Sequence, residues 1–215
     1  MTFDLFSDDT PQGRETLGPS AVLLRGHALP QAESWPALLE QIEARSPFRH
    51  MYTPSGYRMS AAMTCCGELG WITDRRGYRY SATDPLTGQP WPPMPDAWRA
   101  LAGEAAQQAG FQAFEPDACL INRYVPGAKM SLHQDKDERD HSWPVVSVSL
   151  GLPAVFQFGG LQRTDKTQRV PLFHGDVLVW GGADRLRFHG ILPLAEGEHP
   201  RFGAQRINLT FRKAG

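Results

Sequence analysis

ACLINRY (118–124), KMSLHQD (129–135), VVSVSLGL (145–152), AVFQFGG (154–160), DVLVWGG (176–182), LRFHGIL (186–192) and AQRINLTFR (204–212) follow one another through the second half of the chain, separated by Pro, Gly and charged turns. Each run is short and rich in β-branched or aromatic residues, and none carries the 3.6-residue period of an amphipathic helix, so each reads as a strand. Helical patterning is confined to the first half. Many short strands after a few helices imply an α+β chain that is mainly β: a double-sheet sandwich or jelly roll with flanking helices, its core expected over about 115–215.

Working back from that core, Asp96–Ala109 sets Trp98, Leu101, Ala102 and Ala105 at helical spacing and stops at Gly110. A Pro-rich connector (Pro85, Pro90, Pro92, Pro93, Pro95) precedes it. Ser34–Arg45 reads as another helix, with Ser34 as cap, Pro36 in the first turn, Leu38, Leu39 and Ile42 on one face, and Ser46-Pro47 as its end. Residues 46–82 mix aromatic, β-branched and methionine residues with Gly56, Gly67, Gly70 and Gly77, a pattern of short strands and hairpin turns expected to form a lid or wall. Ala21–Leu24 is a short apolar strand. The Asp-, Pro- and Gly-rich residues 1–19 are expected to be a loosely held arm, leaving 20–215 as a single domain.

The 215 residues carry a formal net charge of -1, which excludes a protein that coats duplex DNA through bulk electrostatics; any nucleic-acid contact must be local. Three cysteines (Cys65, Cys66, Cys119), an odd number in a chain too large to need disulfide staples, point to free thiols in a reducing compartment. The start of the chain lacks the pattern of a secretory signal, and no apolar run approaches the roughly 20 residues needed to span a bilayer. A cytoplasmic protein without membrane contact is expected, and the lack of an extended apolar seam makes it a monomer.

Chemistry concentrates in His133-Gln134-Asp135. In a strand, side chains alternate faces, so His133 and Asp135 project together and Gln134 away. His189 lies in another strand-like run, followed by Gly190, which allows close backbone approach. Two histidines and one carboxylate on one face of an octahedral iron leave three positions open, enough for a bidentate keto acid and dioxygen. Standing alone, His-x-Asp is a weak signal that reads first as surface polar residues at a strand end, and two His with a carboxylate also suit a zinc hydrolase.

The last strand discriminates more sharply. Along Arg206-Ile207-Asn208-Leu209-Thr210-Phe211-Arg212, polar and apolar residues alternate, so Arg206, Asn208, Thr210 and Arg212 share a face. That face is either solvated or, if it looks into the jelly roll, must bind something anionic, because buried guanidinium groups without partners are costly. A dicarboxylate would suit it, one carboxylate taking a bidentate Arg fork while a keto-acid end reaches the metal. Asn122 and Tyr124 add an amide and a phenol able to donate to carboxylate oxygens, although either residue taken alone reads first as a polar group satisfied within the core.

The segments NRYVPGAKMSLHQDKDE (122–138), VVSVSLGLPAVFQFGG (145–160), HGDVLVWGG (174–182), RLRFHGI (185–191) and RINLTFR (206–212) together resemble the AlkB family of iron(II)/2-oxoglutarate nucleic-acid dealkylases, over a length running from SPFRHM near Ser46 to the end. What the resemblance implies is a double-stranded β-helix (jelly roll) core under an N-terminal nucleotide-recognition lid. It implies Fe(II) on His133, Asp135 and His189, and 2-oxoglutarate on Asn122, Tyr124, Arg206, Asn208 and Arg212, with Arg206 at the distal carboxylate and Arg212 near the keto acid. Dioxygen would be the other cosubstrate. The implied reaction hydroxylates the N-alkyl carbon of bases such as 1-methyladenine and 3-methylcytosine in single-stranded DNA, and to some extent RNA, as 2-oxoglutarate becomes succinate and CO2; the hemiaminal then releases an aldehyde.

An enzyme acting on a base substituent must hold that base out of the stack. Trp71, Tyr78 and Tyr80 near Arg75, Arg76 and Arg79 interleave rings with cations as a single-strand channel requires, although an exposed hairpin commonly mixes Tyr and Arg as well. The resemblance implies that Trp71 stacks on the flipped base with His133 opposite, that Tyr78 contacts phosphate, and that Thr53, Met59, Ser60 and Met63 line the lid. Lys136, Asp137 and Glu138 could reach a base edge, Asp137 accepting from an exocyclic amine and favouring a cationic lesion; otherwise this charge run is a solvated loop. Arg163 is a further contact candidate. The competing readings are a protein or small-molecule hydroxylase with the same iron core, and a non-catalytic module that binds damaged strands.

Overall fold

The computed structural model describes residues 13–215. In chain order it contains β1 (Gly13–Gly18), β2 (Ala21–Arg25), α1 (Leu29–Ala32), α2 (Trp35–Arg45), β3 (Ala62–Gly67), β4 (Gly70–Asp74), β5 (Gly77–Ser81), α3 (Asp96–Gln108), β6 (Ala118–Tyr124), β7 (Met130–His133), β8 (Val145–Gly151), β9 (Ala154–Phe158), β10 (Gln168–Leu172), β11 (Val177–Trp180), β12 (His189–Ile191) and β13 (Arg206–Arg212). A seven-stranded sheet runs β1-β2-β11-β8-β13-β6-β3, a four-stranded sheet runs β10-β9-β12-β7, and β4 and β5 form a separate hairpin. Two antiparallel sheets facing each other, with helices on the outside of the larger one, make the jelly roll.

Strand alternation builds both cores. On β2, Val22 and Leu24 turn outward to meet Ala32, Trp35, Leu39 and Ile42 of the first two helices and Trp98, Leu101, Ala102 and Ala105 of α3. Ala21 and Leu23 turn inward to join Trp180, Phe156, Phe158, Val170 and Leu172 between the sheets. The central strand β13 obeys the same rule with a different outcome. Ile207, Leu209 and Phe211 pack under the helices, so the alternate residues Arg206, Asn208, Thr210 and Arg212 must face the space between the sheets. They are only 1%, 7%, 5% and 6% exposed, which rules out a solvated face.

Several expectations need correction. The arm expected over 1–19 lies outside the described residues up to position 12, but Gly13–Gly18 is a strand, not a loose segment. It pairs antiparallel with β2 and is pinned by an Arg25–Glu15 ion pair at 2.7 Å, contacts that composition cannot report. The lid expected over 46–82 gives up Ala62–Gly67 to the large sheet, where β3 pairs with β6. Ser34 does not cap α2 through its side chain; α1 runs into it in helical geometry, and its hydroxyl donates to the Gln31 carbonyl instead. The strand expected over 129–135 ends at His133, and that expected over 186–192 shrinks to His189–Ile191. Strand β10 escaped notice because QRVPL carries a proline, tolerated because β10 is the edge of its sheet.

Candidate active site

His133 closes β7 and His189 opens β12, and these two residues are direct partners across the antiparallel pair. Cross-strand partners share a face, and their rings come to 4.4 Å between centroids. Each Nδ1 lies against a main-chain carbonyl, that of Ser131 for His133 (2.9 Å) and that of Arg187 for His189 (3.0 Å). A carbonyl only accepts, so both Nδ1 atoms carry the proton and both Nε2 atoms present a lone pair, the tautomer a metal ligand needs. Asp135 completes the group from the loop after β7, with its two oxygens 3.7 Å from the two Nε2 atoms. Strand alternation is therefore not what brings Asp135 to His133. Gln134 turns away and donates to the Leu186 carbonyl at 2.6 Å, tying the two ligand-bearing segments together.

The electrostatics favour a ligand state. The ligand atoms of His133, Asp135 and His189 all lie within 4.8 Å of one another, the one such group of three among the described residues. Burial, and then the neighbouring His133, holds His189 down to about 4, so its imidazole is neutral near pH 7. Burial alone would raise the Asp135 carboxyl, but Arg212, followed by His189, His133 and Arg185, outweighs it and keeps the group ionised well below the usual carboxylate range. Arg212 reaches Asp135 Oδ2 through two nitrogens at 2.7 and 3.2 Å. Arg185 donates to the Asp135 main-chain carbonyl and to Glu138 at 2.9 Å. Two imidazoles, that of His189 neutral, and one held carboxylate fit iron(II) by the chemistry of the donor set.

These ligands line a cavity of about 740 Å³ between the sheets, whose walls include Asn122, Tyr124, Ser147, Arg206, Asn208, Thr210 and Arg212. Arg206 is the unusual member. It lies over the Tyr124 ring at 5.2 Å and gives one hydrogen bond, to Ser149 Oγ at 2.9 Å, while its Nε and one terminal nitrogen have no partner and no carboxylate is paired with it. Burial pulls its basicity down, with the Tyr124 hydroxyl partly offsetting this. The Asn122 side-chain oxygen is also unpartnered. A buried guanidinium with two idle donors in the cavity that also holds the His133–Asp135–His189 group fits a carboxylate guest. Asn208, by contrast, is already engaged with Ser147 Oγ and the Val148 carbonyl, at 2.8 and 3.0 Å.

The cavity mouth carries the remaining candidates. Trp71, on β4, stacks on Tyr78, on β5, at 5.6 Å, and its indole N–H donates to Asp137 at 2.7 Å. Thr53, Met59, Ser60, Met63, Lys136 and Arg163 also line the cavity. Thr53 accepts from the Tyr57 N–H, Ser60 accepts from the Lys129 N–H, and Arg163 donates to the Leu132 carbonyl while lying over Phe188. Glu138 is the exception: it is buried, takes the Tyr80 hydroxyl at 2.6 Å and pairs with Arg185 and Arg212, so its carboxylate is spent inside the protein and not on a base edge. One oxygen of Asp137 is likewise taken by Trp71. Arg185, Ser147 and Ser149 join the site without having been expected there, and Tyr80, expected in a strand channel, instead reaches Glu138. The two serines share the inward face of β8 by simple alternation, a signal that VVSVSLG does contain; nothing in the sequence pairs Arg185 with Glu138.

Residues 21–212 match the model of the 2OG-Fe(II) oxygenase superfamily. The chain is 57% identical to the alpha-ketoglutarate-dependent dioxygenase AlkB of Escherichia coli, over 99% of this chain and 98% of that protein. It is 57% identical to AlkB of Salmonella typhimurium, over 98% and 97% respectively. Among solved structures, OsALKBH1 superposes with a TM-score of 0.79 at 31% identity, covering 94% of this chain and all of that one. With the His133–Asp135–His189 group and the buried arginine strand inside the matched region, the chain belongs to the 2OG-Fe(II) oxygenase superfamily and, within it, to the AlkB family of alpha-ketoglutarate-dependent dioxygenases.

Proposed function

We propose that this protein reverses alkylation damage by oxidative demethylation of N-alkylated bases, of the 1-methyladenine and 3-methylcytosine type, in single-stranded DNA and to some extent RNA. The observation that carries the reading is the meeting of three features in one cavity: the His133–Asp135–His189 group, the idle guanidinium of Arg206, and a mouth framed by the stacked rings of Trp71 and Tyr78. His133, Asp135 and His189 would hold Fe(II). Arg206 takes the distal carboxylate of 2-oxoglutarate, assisted by Tyr124, Asn122 and Asn208, with Arg212 beside the keto-acid end. When bound, iron(II) with 2-oxoglutarate and dioxygen supplies the oxidation of the N-alkyl carbon, and 2-oxoglutarate leaves as succinate and CO2.

The protein's own part is binding and orientation. Trp71 on one side and His133 on the other form the walls for a base swung out of its strand, with Tyr78 and Arg163 placed for the phosphates beside it. The free oxygen of Asp137 accepts from an exocyclic amine, and its charge favours a cationic lesion. Thr53, Met59 and Ser60 belong to the lid over residues 46–61 and 68–82, Met63 on β3 and Lys136 after β7 complete the wall beneath it, and the single domain takes in β1 as well as residues 20–215. We further propose that the protein works as a monomer in the cytoplasm, where its three free cysteines stay reduced. No helix among the described residues is long and apolar enough to cross a membrane.

The test is mass spectrometry of a single-stranded oligonucleotide with one 1-methyladenine, incubated with protein, iron(II), 2-oxoglutarate and oxygen, omitting each in turn. Loss of one methylene mass that depends on every component supports the proposal. An unchanged oligonucleotide with 2-oxoglutarate still consumed would sink it in favour of a protein or small-molecule hydroxylase. Binding without any 2-oxoglutarate turnover would leave a damaged-strand binding module.

A further inference from the structure

Trp71 and Tyr80 are direct partners across the β4–β5 hairpin and so share a face. Each donates one hydrogen bond out of the hairpin, and the two acceptors are consecutive residues: Trp71 Nε1 to Asp137 at 2.7 Å and the Tyr80 hydroxyl to Glu138 Oε1 at 2.6 Å. These carboxylates follow the metal ligand Asp135 by two and three positions. Glu138 Oε1 also forms an ion pair with Arg212, 3.3 Å from its Nε, and Arg212 donates to Asp135 Oδ2 at 2.7 Å. Glu138 Oε2 takes Arg185 at 2.9 Å, and Arg185 holds the Asp135 main-chain carbonyl. Asp135 is thus gripped at its carboxylate and at its backbone by two arginines, both anchored on one glutamate whose remaining partner is a hydroxyl of the hairpin. Tyr80 itself does not line the cavity.

We propose that Tyr80 is a positioning residue for the metal ligand Asp135, and that the relay Tyr80–Glu138–Arg212 sets the seating of the base-gripping hairpin and the orientation of the metal carboxylate together. The proposal rests on the iron and nucleic-acid reading above. Its chemical sense is economy of oxidant: a hairpin displaced from its seat loosens Asp135, so oxidation of 2-oxoglutarate is efficient only with the hairpin in place. A network with every member satisfied has few alternative arrangements, which is what such coupling requires.

Tyr80→Phe in the full chain removes the hydroxyl and keeps the ring. Partners of metal ligands typically contribute about 10–100-fold to metal affinity. Tyr80 acts through two intermediaries, so a weakening of Co(II) affinity of about 3–10-fold is expected, with a changed d–d spectrum at saturating Co(II). The amount of 2-oxoglutarate consumed per base repaired should rise in the iron enzyme. Unaltered Co(II) affinity and spectrum would overturn the proposal, and the Co(II) arm reads out even if the dealkylation reading fails. Glu138→Gln supplies the cycle: in that background Tyr80→Phe should add nothing, whereas fully additive effects on Co(II) affinity would show that no relay exists.

Discussion

Arg206→Met separates two things that a buried arginine usually confounds. The side chain is 1% exposed, makes one hydrogen bond to Ser149, has two idle nitrogens and pairs with no carboxylate. In the protein without ligands its charge is uncompensated, so replacing it with an apolar side chain of similar length should be neutral or stabilising by up to about 4 kcal/mol, the range found when buried ionic groups give way to well-packed apolar ones. For a chain of this size each kcal/mol moves the melting temperature by about 2–4 °C. Scanning calorimetry of the ligand-free variant should therefore give a melting temperature equal to wild type or as much as about 16 °C above it. Ligand response should go the other way. Wild type in 2-oxoglutarate at 100 times its Kd, with metal present, gains about 2.7 kcal/mol, whereas removing one partner of a buried charge-assisted pair costs about 2–5 kcal/mol of binding, so the variant should gain less than about 1 kcal/mol at the same concentration. A variant that melts several degrees lower without ligand, yet still responds to 2-oxoglutarate, would refute the assignment of Arg206 as a carboxylate receptor.

Three further outcomes are expected. His133→Ala should abolish turnover and weaken Co(II) binding by at least about 100-fold while leaving the circular dichroism spectrum and melting temperature close to wild type, because the ring is 40% exposed and supports little packing; activity in the iron-reconstituted variant would contradict its role as a ligand. Trp71→Ala should weaken binding of a single-stranded oligonucleotide by about 5–150-fold, the effect of removing one stacking platform, as read by fluorescence anisotropy; unchanged affinity would favour a hydroxylase of another substrate. His174 is held down to about 4 by burial and then by His199, and its Nδ1 accepts the Gly151 N–H. Since its folded pKa lies below its unfolded value of about 6.5, its contribution is fully present above pH 6.5 and is lost as pH falls toward 4, on the order of 1–3 kcal/mol; His174→Gln should flatten that part of the stability profile measured by urea titration.

What was legible in the sequence follows from how far each signal reaches along the chain. Period-2 alternation is local, so RINLTFR announced its two faces without any knowledge of its neighbours. Whether the polar face was solvated or buried depends on β8 and β6 lying on either side of β13 and on the small sheet in front, which no window of seven residues contains. His133 and His189 were legible as residues, and their juxtaposition is a cross-strand register between segments 56 positions apart in chain order. Asp135 was placed correctly for the wrong reason. The ladder stops at His133, and Asp135 is aimed by Arg212 and Arg185 and not by strand geometry. Glu138 was misread because a charge run normally marks a solvated loop; here one of its carboxylates turns inward to meet two arginines and a tyrosine from distant parts of the chain.

The same inward charges explain how one cavity accommodates such different guests. Asp135 and Glu138 balance Arg185 and Arg212, two carboxylates against two guanidinium groups in contact with one another, so this set presents no net charge to a ligand. Arg206 stands apart with a single uncompensated positive charge. A divalent metal raises the positive charge of the cavity further, and a dicarboxylate carrying two negative charges then removes most of it. Taking an ion out of water costs several kcal/mol unless opposite charge is waiting, so each guest improves the site for the other. Metal and 2-oxoglutarate should accordingly bind with positive coupling, and by linkage the coupling is the same whichever is added first. What remains positive after both are bound faces a mouth where Asp137 sits beside Trp71. In the proposed reaction a cationic alkylated base would meet its compensating carboxylate, Asp137, at this rim on the loop after Asp135, and not on the buried strand.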